Sequence, residues 1–143
     1  MRIPAFGLLA ALALIAALAF PAAVFAAQPV TGRWVTDDGK AIVTIEYCGG
    51  TVCGRITRVL APTPKGPPVD ERNPDKALRK RPILGLPVLT GFTPDGEEWE
   101  GRIYSPEEGK TYRSVMRRAG PDKIAVKGCI LIFCKTQTWT RAQ

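Results

Sequence analysis

A chain of 143 residues with 20 basic and 13 acidic side chains carries a formal charge of +7 and contains no histidine. That absence removes the commonest general base and the commonest metal ligand, and no other motif amounts to a catalytic or cofactor signature. The basic balance suits an acidic envelope polymer, an anionic lipid or a negatively charged ligand, and serves solubility equally well.

Residues 1–26 read as a cleavable signal peptide. Met1-Arg2 supplies a positive start, Phe6 to Phe20 is an Ala/Leu/Ile run, and Val24-Phe25-Ala26 offers small residues at the cut. The competing reading is an uncleaved anchor. The apolar run is short for a span, and Pro21 followed by small residues has the look of a cleavage region. No cysteine stands at the cut, which argues against a lipid anchor. Residues 27–143 then form one domain holding all four cysteines, as expected of a periplasmic or secreted protein with disulfides. No transmembrane segment is expected after cleavage.

After a short lead-in, Ala27 to Val30, the stretch from Thr31 to Val59 predicts two consecutive hairpins. Asp37-Asp38-Gly39 turns the first and Gly49-Gly50 the second. The strands are expected at about Gly32 to Thr36, Ala41 to Cys48 and Val52 to Val59. In the second, Ala41, Val43, Ile45 and Tyr47 make one apolar face. In the third, Gly54, Ile56 and Arg58 are expected to share a face opposite Arg55 and Thr57.

Leu60 to Pro82 is a long connection with six of the 13 prolines. Asn73-Pro74-Asp75 has the order of an N-cap and first turn, so one or two helical turns are expected from Pro74 to about Lys80. A connection this long in a compact domain is usually functional or poorly ordered. Ile83 to Phe92 is apolar, with Pro87 marking an edge or a bulge. Thr93-Pro94-Asp95-Gly96 reads as a turn. Strands follow at Glu97 to Tyr104, Lys110 to Arg118, Lys123 to Cys129 and Cys134 to Arg141, with Tyr112, Ser114 and Met116 on one inner face. About eight short strands with near-regular turns point to an all-β, up-and-down antiparallel barrel or a strongly curled sheet.

The cysteines recur as two C-x4-C pairs, Cys48/Cys53 and Cys129/Cys134. Residues five apart on one strand stand ~16 Å apart, far beyond the ~5.5 Å of a disulfide, so a local bridge needs a chain reversal. Gly49-Gly50 supplies one; Ile130-Leu131-Ile132-Phe133 is a poor turn by composition. Two local bridges are favoured, with cross-linking of the two hairpins as the alternative. A local second bridge would leave the apolar tetrad projecting from a hairpin tip, suggesting a partner or a membrane surface. A strand through the core would make it ordinary packing.

Trp34 and Trp139 bracket the domain. A Gly-x-Trp on the first strand with a late arginine, Arg141, resembles the lipocalin and calycin barrels, where the tryptophan packs at the closed end beneath a basic side chain. Strand arginines are otherwise ordinary features of a solvated face. No interleaving of aromatic and basic residues suggests nucleic acid.

The chain from residue 27 onward resembles a family of small exported bacterial proteins known only as a domain of unknown function. The carriers are TGRWVTDDGKAIVTIEYCGGTVCGRI, NPDKALRKRPILGLPVLTGF, GRIYSPEEGKTYRS and GCILIFCKTQTWTR. The resemblance implies an envelope-located, lipocalin-like β-barrel. It makes the shared polar residues Asp70, Asn73, Arg79, Arg81, Arg102 and Tyr104 candidates for structure or ligand contact.

The expected function is a non-enzymatic binding module for a small apolar or amphipathic ligand, with an anionic group compatible with the basic charge. Trp34, Tyr47, Trp99, Tyr112 and Met116 would line or floor a cavity, with Arg102 and Arg141 among the arginines near its mouth. No metal and no cofactor is expected. The alternative is an envelope interaction protein docking a protein or an anionic polymer through its basic face and apolar tip. An enzyme is the least favoured reading, since histidine is missing and oxidised cysteines cannot act as nucleophiles. An eight-stranded barrel can also be full of side chains, with no cavity at all.

Overall fold

Alternating apolar and polar residues pair into eight antiparallel strands: β1 (Gly32–Val35), β2 (Ala41–Cys48), β3 (Thr51–Val59), β4 (Pro87–Asp95), β5 (Glu98–Ser105), β6 (Lys110–Gly120), β7 (Lys123–Ile130) and β8 (Phe133–Arg141). Each pairs with its sequence neighbours in a computed structural model that describes residues 20–143. Trp34 opposite Arg141 and Val35 opposite Thr140 join β1 to β8 and close the barrel. Most of the proposed leader, residues 1–19, lies outside the described residues. No helix among the described residues is long and apolar enough to cross a membrane.

An up-and-down order sorts the connections to two ends. The β1–β2, β3–β4, β5–β6 and β7–β8 connections share one end. The tight β2–β3, β4–β5 and β6–β7 turns share the other, together with the chain entering β1 and leaving β8.

Trp34, Ile45, Val52, Phe92, Trp99, Met116 and Ile124 are all buried and fill the turn end. The lead-in is the floor of this plug. Val30 is fully buried, and the indole N–H groups of Trp34 and Trp99 donate to the carbonyls of Val30 and Gln28 at 2.9 and 2.8 Å. Two buried donors are thereby satisfied by one crossing segment, which fixes it under the barrel.

Three expectations are corrected. Val43 pairs with Ile56 while Ile42 pairs with Arg58, so Thr57 is an extra residue in β3. This bulge reverses the alternation: Arg58 is exposed and Val59 packs against the core, instead of Arg58 sharing the face of Ile56. The turn after β4 falls at Gly96-Glu97, because β4 stays paired through Pro94 and Asp95. The helical turn shrinks to a 3₁₀ turn, Lys76–Leu78, capped by Asp75, whose Oδ1 accepts from Ala77 N at 2.9 Å. Asn73 is not the cap of this turn: its Oδ1 accepts from Asp75 N at 2.8 Å, one step before the turn begins. Pro87 opens β4, a position where its missing N–H costs no ladder bond.

Candidate functional site

Above the plug most inward positions are small, with Trp139 and Tyr112 the exceptions. Val43 of β2, Ile56 of β3, Val88 of β4, Ile103 of β5, Val126 and Gly128 of β7 and Trp139 of β8 wall a cavity of 1020 Å³ that reaches the open end. The contrast with the plug is one of side-chain bulk. Where Trp, Phe and Met crowd together the barrel is full; where Val, Ile and Gly predominate, space remains. Tyr112 and Gln137 are polar groups in the wall. The rim carries Asp38, Lys40, Glu71, Arg72, Glu107, Glu108 and Lys135. The Lys40 ammonium reaches Glu107 at 2.7 Å and Asp38 at 3.8 Å, tying the β1–β2 and β5–β6 connections together. Tyr112 donates to Glu108 at 2.8 Å, and that hydrogen bond, with some burial, raises the phenol's pKa. Lys135, by contrast, forms no ion pair among the described residues.

A buried polar cluster pins the long connection beside this mouth. The Asp70 carboxylate is fully buried and accepts from the Tyr104 hydroxyl at 2.7 Å, Asn73 Nδ2 at 2.8 Å and Arg81 Nε at 2.9 Å. A second Arg81 nitrogen pairs with it at 2.9 Å. Burial alone would raise the Asp70 pKa, but these hydrogen bonds and the Arg81 charge outweigh it and hold the carboxyl below its usual range. Tyr104 moves the opposite way: burial and its bond to Asp70 raise it. Arg79 completes the cluster by donating to the Asn73 carbonyl at 2.8 Å. Gly109, at φ +65°, lies flat against the Arg72 carbonyl, a contact any Cβ would prevent. Arg72 in turn donates to the Glu107 carbonyl at 2.7 Å. The connection is thus ordered and fastened to the barrel, with Val69, Glu71 and Arg72 on the rim.

The residues nominated from sequence are scattered. Tyr112 alone of the seven is in the cavity wall. Trp34, Trp99 and Met116 belong to the plug, buried away from the cavity. Tyr47 is 63% exposed at the end of β2, at the plugged end near the Cys48–Cys53 bridge. Arg102 is exposed and pairs across β5–β6 with Arg113, on the outer surface. Arg141 is at the plugged end, not the mouth: its guanidinium lies 4.4 Å from the Trp34 ring centroid, with Arg118 at 5.3 Å. Asp122 holds it there at 3.2 Å. Of the six shared polar residues, Asp70, Asn73, Arg79, Arg81 and Tyr104 converge in one cluster and Arg102 does not join them.

Both disulfides are local, Cys48–Cys53 and Cys129–Cys134, with Cα separations of 5.9 and 4.1 Å. The first lies near Glu46, a set of residue types that could otherwise suit a metal, but the bridge consumes both thiolates. The second staples the β7–β8 hairpin directly below an exposed Ile130-Leu131-Ile132-Phe133 tip. The wall residues Val43, Ile56, Val88, Val126 and Gly128 and the rim residue Lys135 were not nominated as site residues from sequence, and Trp139 was marked only as an aromatic bracketing the domain. Their only signal was inward parity on strands whose height in the barrel the sequence does not state.

The same architecture is found in a Helicobacter pylori protein described as belonging to the lipocalin family. The two align with a TM-score of 0.71 and 19% identity over 80% of this chain and 84% of that one, a likeness of fold. No curated protein matches the chain in sequence. Residues 32–141, from the first strand to the last, match a bacterial family described as "Uncharacterized protein conserved in bacteria". The chain belongs to that family, DUF2147, and has a lipocalin-like, eight-stranded antiparallel barrel.

Proposed function

We propose that the chain is an exported binding protein that holds a small amphipathic molecule in the open half of its barrel. The observation that carries this reading is the cavity, whose apolar wall ends in a charged rim. Its 1020 Å³ stands at the top of the ~300–1,000 Å³ usual for small-molecule sites. Such a shape accepts an apolar tail along Val43, Ile56, Val88 and Val126 and leaves a polar head at the mouth. Lys135, on the inward parity of β8 and without an ion-pair partner among the described residues, would meet a carboxylate or phosphate head. The two disulfides are consistent with export, and the cut after Ala26 belongs to the same proposal. The envelope-docking alternative has one observation of its own, the exposed tip.

Native mass spectrometry of the protein purified gently from its own cell envelope tests the proposal. A reproducible non-covalent adduct that is lost on denaturation is expected. A clean apo mass, together with no uptake of single-chain lipids added in excess, would contradict it.

A further inference from the structure

The β7–β8 tip breaks two ordinary rules at once. Leu131 and Ile132 are 89% and 87% exposed, flanked by Ile130 at 58% and Phe133 at 75%. Ile130 pairs with Phe133, so Leu131-Ile132 is a two-residue turn, the connection where Gly and Asn are physically preferred. Leu131 nevertheless sits at φ 54°, and it is the only non-glycine residue at positive φ among the described residues. Four apolar side chains therefore stand in water at a turn that a bulky residue strains. The Cys129–Cys134 bridge immediately below holds them out on a rigid stalk.

The tip is continuous with the cavity. Ile130 and Phe133 both line it, so the apolar wall runs without a break from Val126 to the outside. By strand order, the β3–β4 connection stands half a turn of the barrel away, across the mouth. From Leu60 to Leu86 that connection carries six basic residues against three acidic, and one of those acids, Asp70, is buried against Arg81. Lys76, Arg79 and Lys80 are exposed there beside a partly exposed Leu78. In the acidic loops between tip and connection, Lys40 bridges Asp38 and Glu107, while Asp37 accepts from Thr138 N and Glu108 from the Tyr112 hydroxyl.

We propose that this end of the barrel docks on an anionic phospholipid bilayer, with the Ile130–Phe133 tip inserted among the lipids and the basic connection on the headgroups. A convex apolar point beside basic side chains suits a lipid interface, which adapts to a projection; a protein partner would need a matching socket. Contact at both sides of the mouth brings the cavity opening onto the bilayer. A hydrophobic ligand can then pass between membrane and barrel without crossing water. Docking itself does not depend on the cavity being filled, so it stands or falls apart from the ligand proposal.

The test is co-sedimentation of the mature protein with vesicles of phosphatidylethanolamine and phosphatidylglycerol at low salt, alongside Leu131→Gly/Ile132→Asn. That double substitution gives the turn its preferred chemistry while removing the two most exposed apolar side chains. It should fold as well as the wild type and bind about tenfold more weakly. Separately, Phe133→Trp places a fluorophore at the tip, while Trp34, Trp99 and Trp139 are buried. Its added emission should shift to the blue on mixing with these vesicles. Absence of wild-type binding, equal binding by the double variant, equal binding to uncharged phosphatidylcholine vesicles, or no shift in Phe133→Trp would overturn the proposal. So would a wild-type dimer made monomeric by the double substitution without any vesicle binding, which would assign the tip to self-association.

Discussion

Asp70 is fully enclosed yet ionised at neutral pH, because Tyr104, Asn73 and Arg81 together replace the water it has lost. Replacing it with Ala leaves the Arg81 charge and two neutral donors without their acceptor, and should destabilise the domain by about 3 kcal/mol in chemical denaturation. The pH dependence has a definite sign. The folded pKa is lowered, so this stabilisation is complete above the unfolded carboxylate value of about 4 and is lost as pH falls through the folded value. Asp70→Asn should therefore flatten the acid limb of a stability-versus-pH curve below about pH 4, and an unchanged limb would place the acid sensitivity elsewhere. Trp34 is the matching case at the other end of the barrel. Fully buried under Arg118 and Arg141, it should cost about 3–5 kcal/mol on truncation to Ala. A loss below about 1 kcal/mol would contradict its place in the plug.

At the scale of elements, most strands were legible because half-burial writes a two-residue alternation into the sequence, and β2 spans the predicted residues, Ala41–Cys48. What alternation cannot show is where it slips. The extra Thr57 in β3 sends Arg58 out and Val59 in, and no residue type there announces it. The β7–β8 hairpin was ambiguous for a related reason. Ile-Leu-Ile-Phe has strand composition, and only the register that sets Cys129 opposite Cys134 makes it a turn. Because that bridge closes a short loop, it removes little unfolded-state entropy. Cys129→Ala/Cys134→Ala should cost about 2 kcal/mol, measured by denaturant midpoint with Cys48–Cys53 intact. If the stalk orders the tip, the same variant should also weaken vesicle binding.

For the molecule as a whole, the decisive property is that the barrel is full at one end and empty at the other. Most of the aromatics, which by residue type suggest a binding site, are where the filling is. Trp34, Trp99 and Met116 make the plug because they are large, and the cavity exists where Val43, Val126 and Gly128 are small. Telling the two layers apart requires the height of each strand in the barrel, set by register and bulges and not by any single strand's pattern. Five members of the Asp70 cluster are among the six polar candidates from the resemblance, with Arg102 apart, but their role as a clasp is not legible in sequence, since they come from the connection and from β5.

Gly128 allows the central claim to be tested with one substitution. It lines the cavity, and a Cβ there would make ordinary contacts, 3.7 Å to Ile103 and 3.9 Å to Tyr112, so Gly128→Leu should fold and project into the empty half. The measurement is a titration of both proteins with a dansyl-labelled fatty acid, followed by probe fluorescence. The wild type should bind saturably and one-to-one, with binding weakened about tenfold or more in Gly128→Leu and the thermal midpoint nearly unchanged. Absence of saturable binding by the wild type, or equal affinity in the filled variant, would contradict a ligand site in the open half of the barrel.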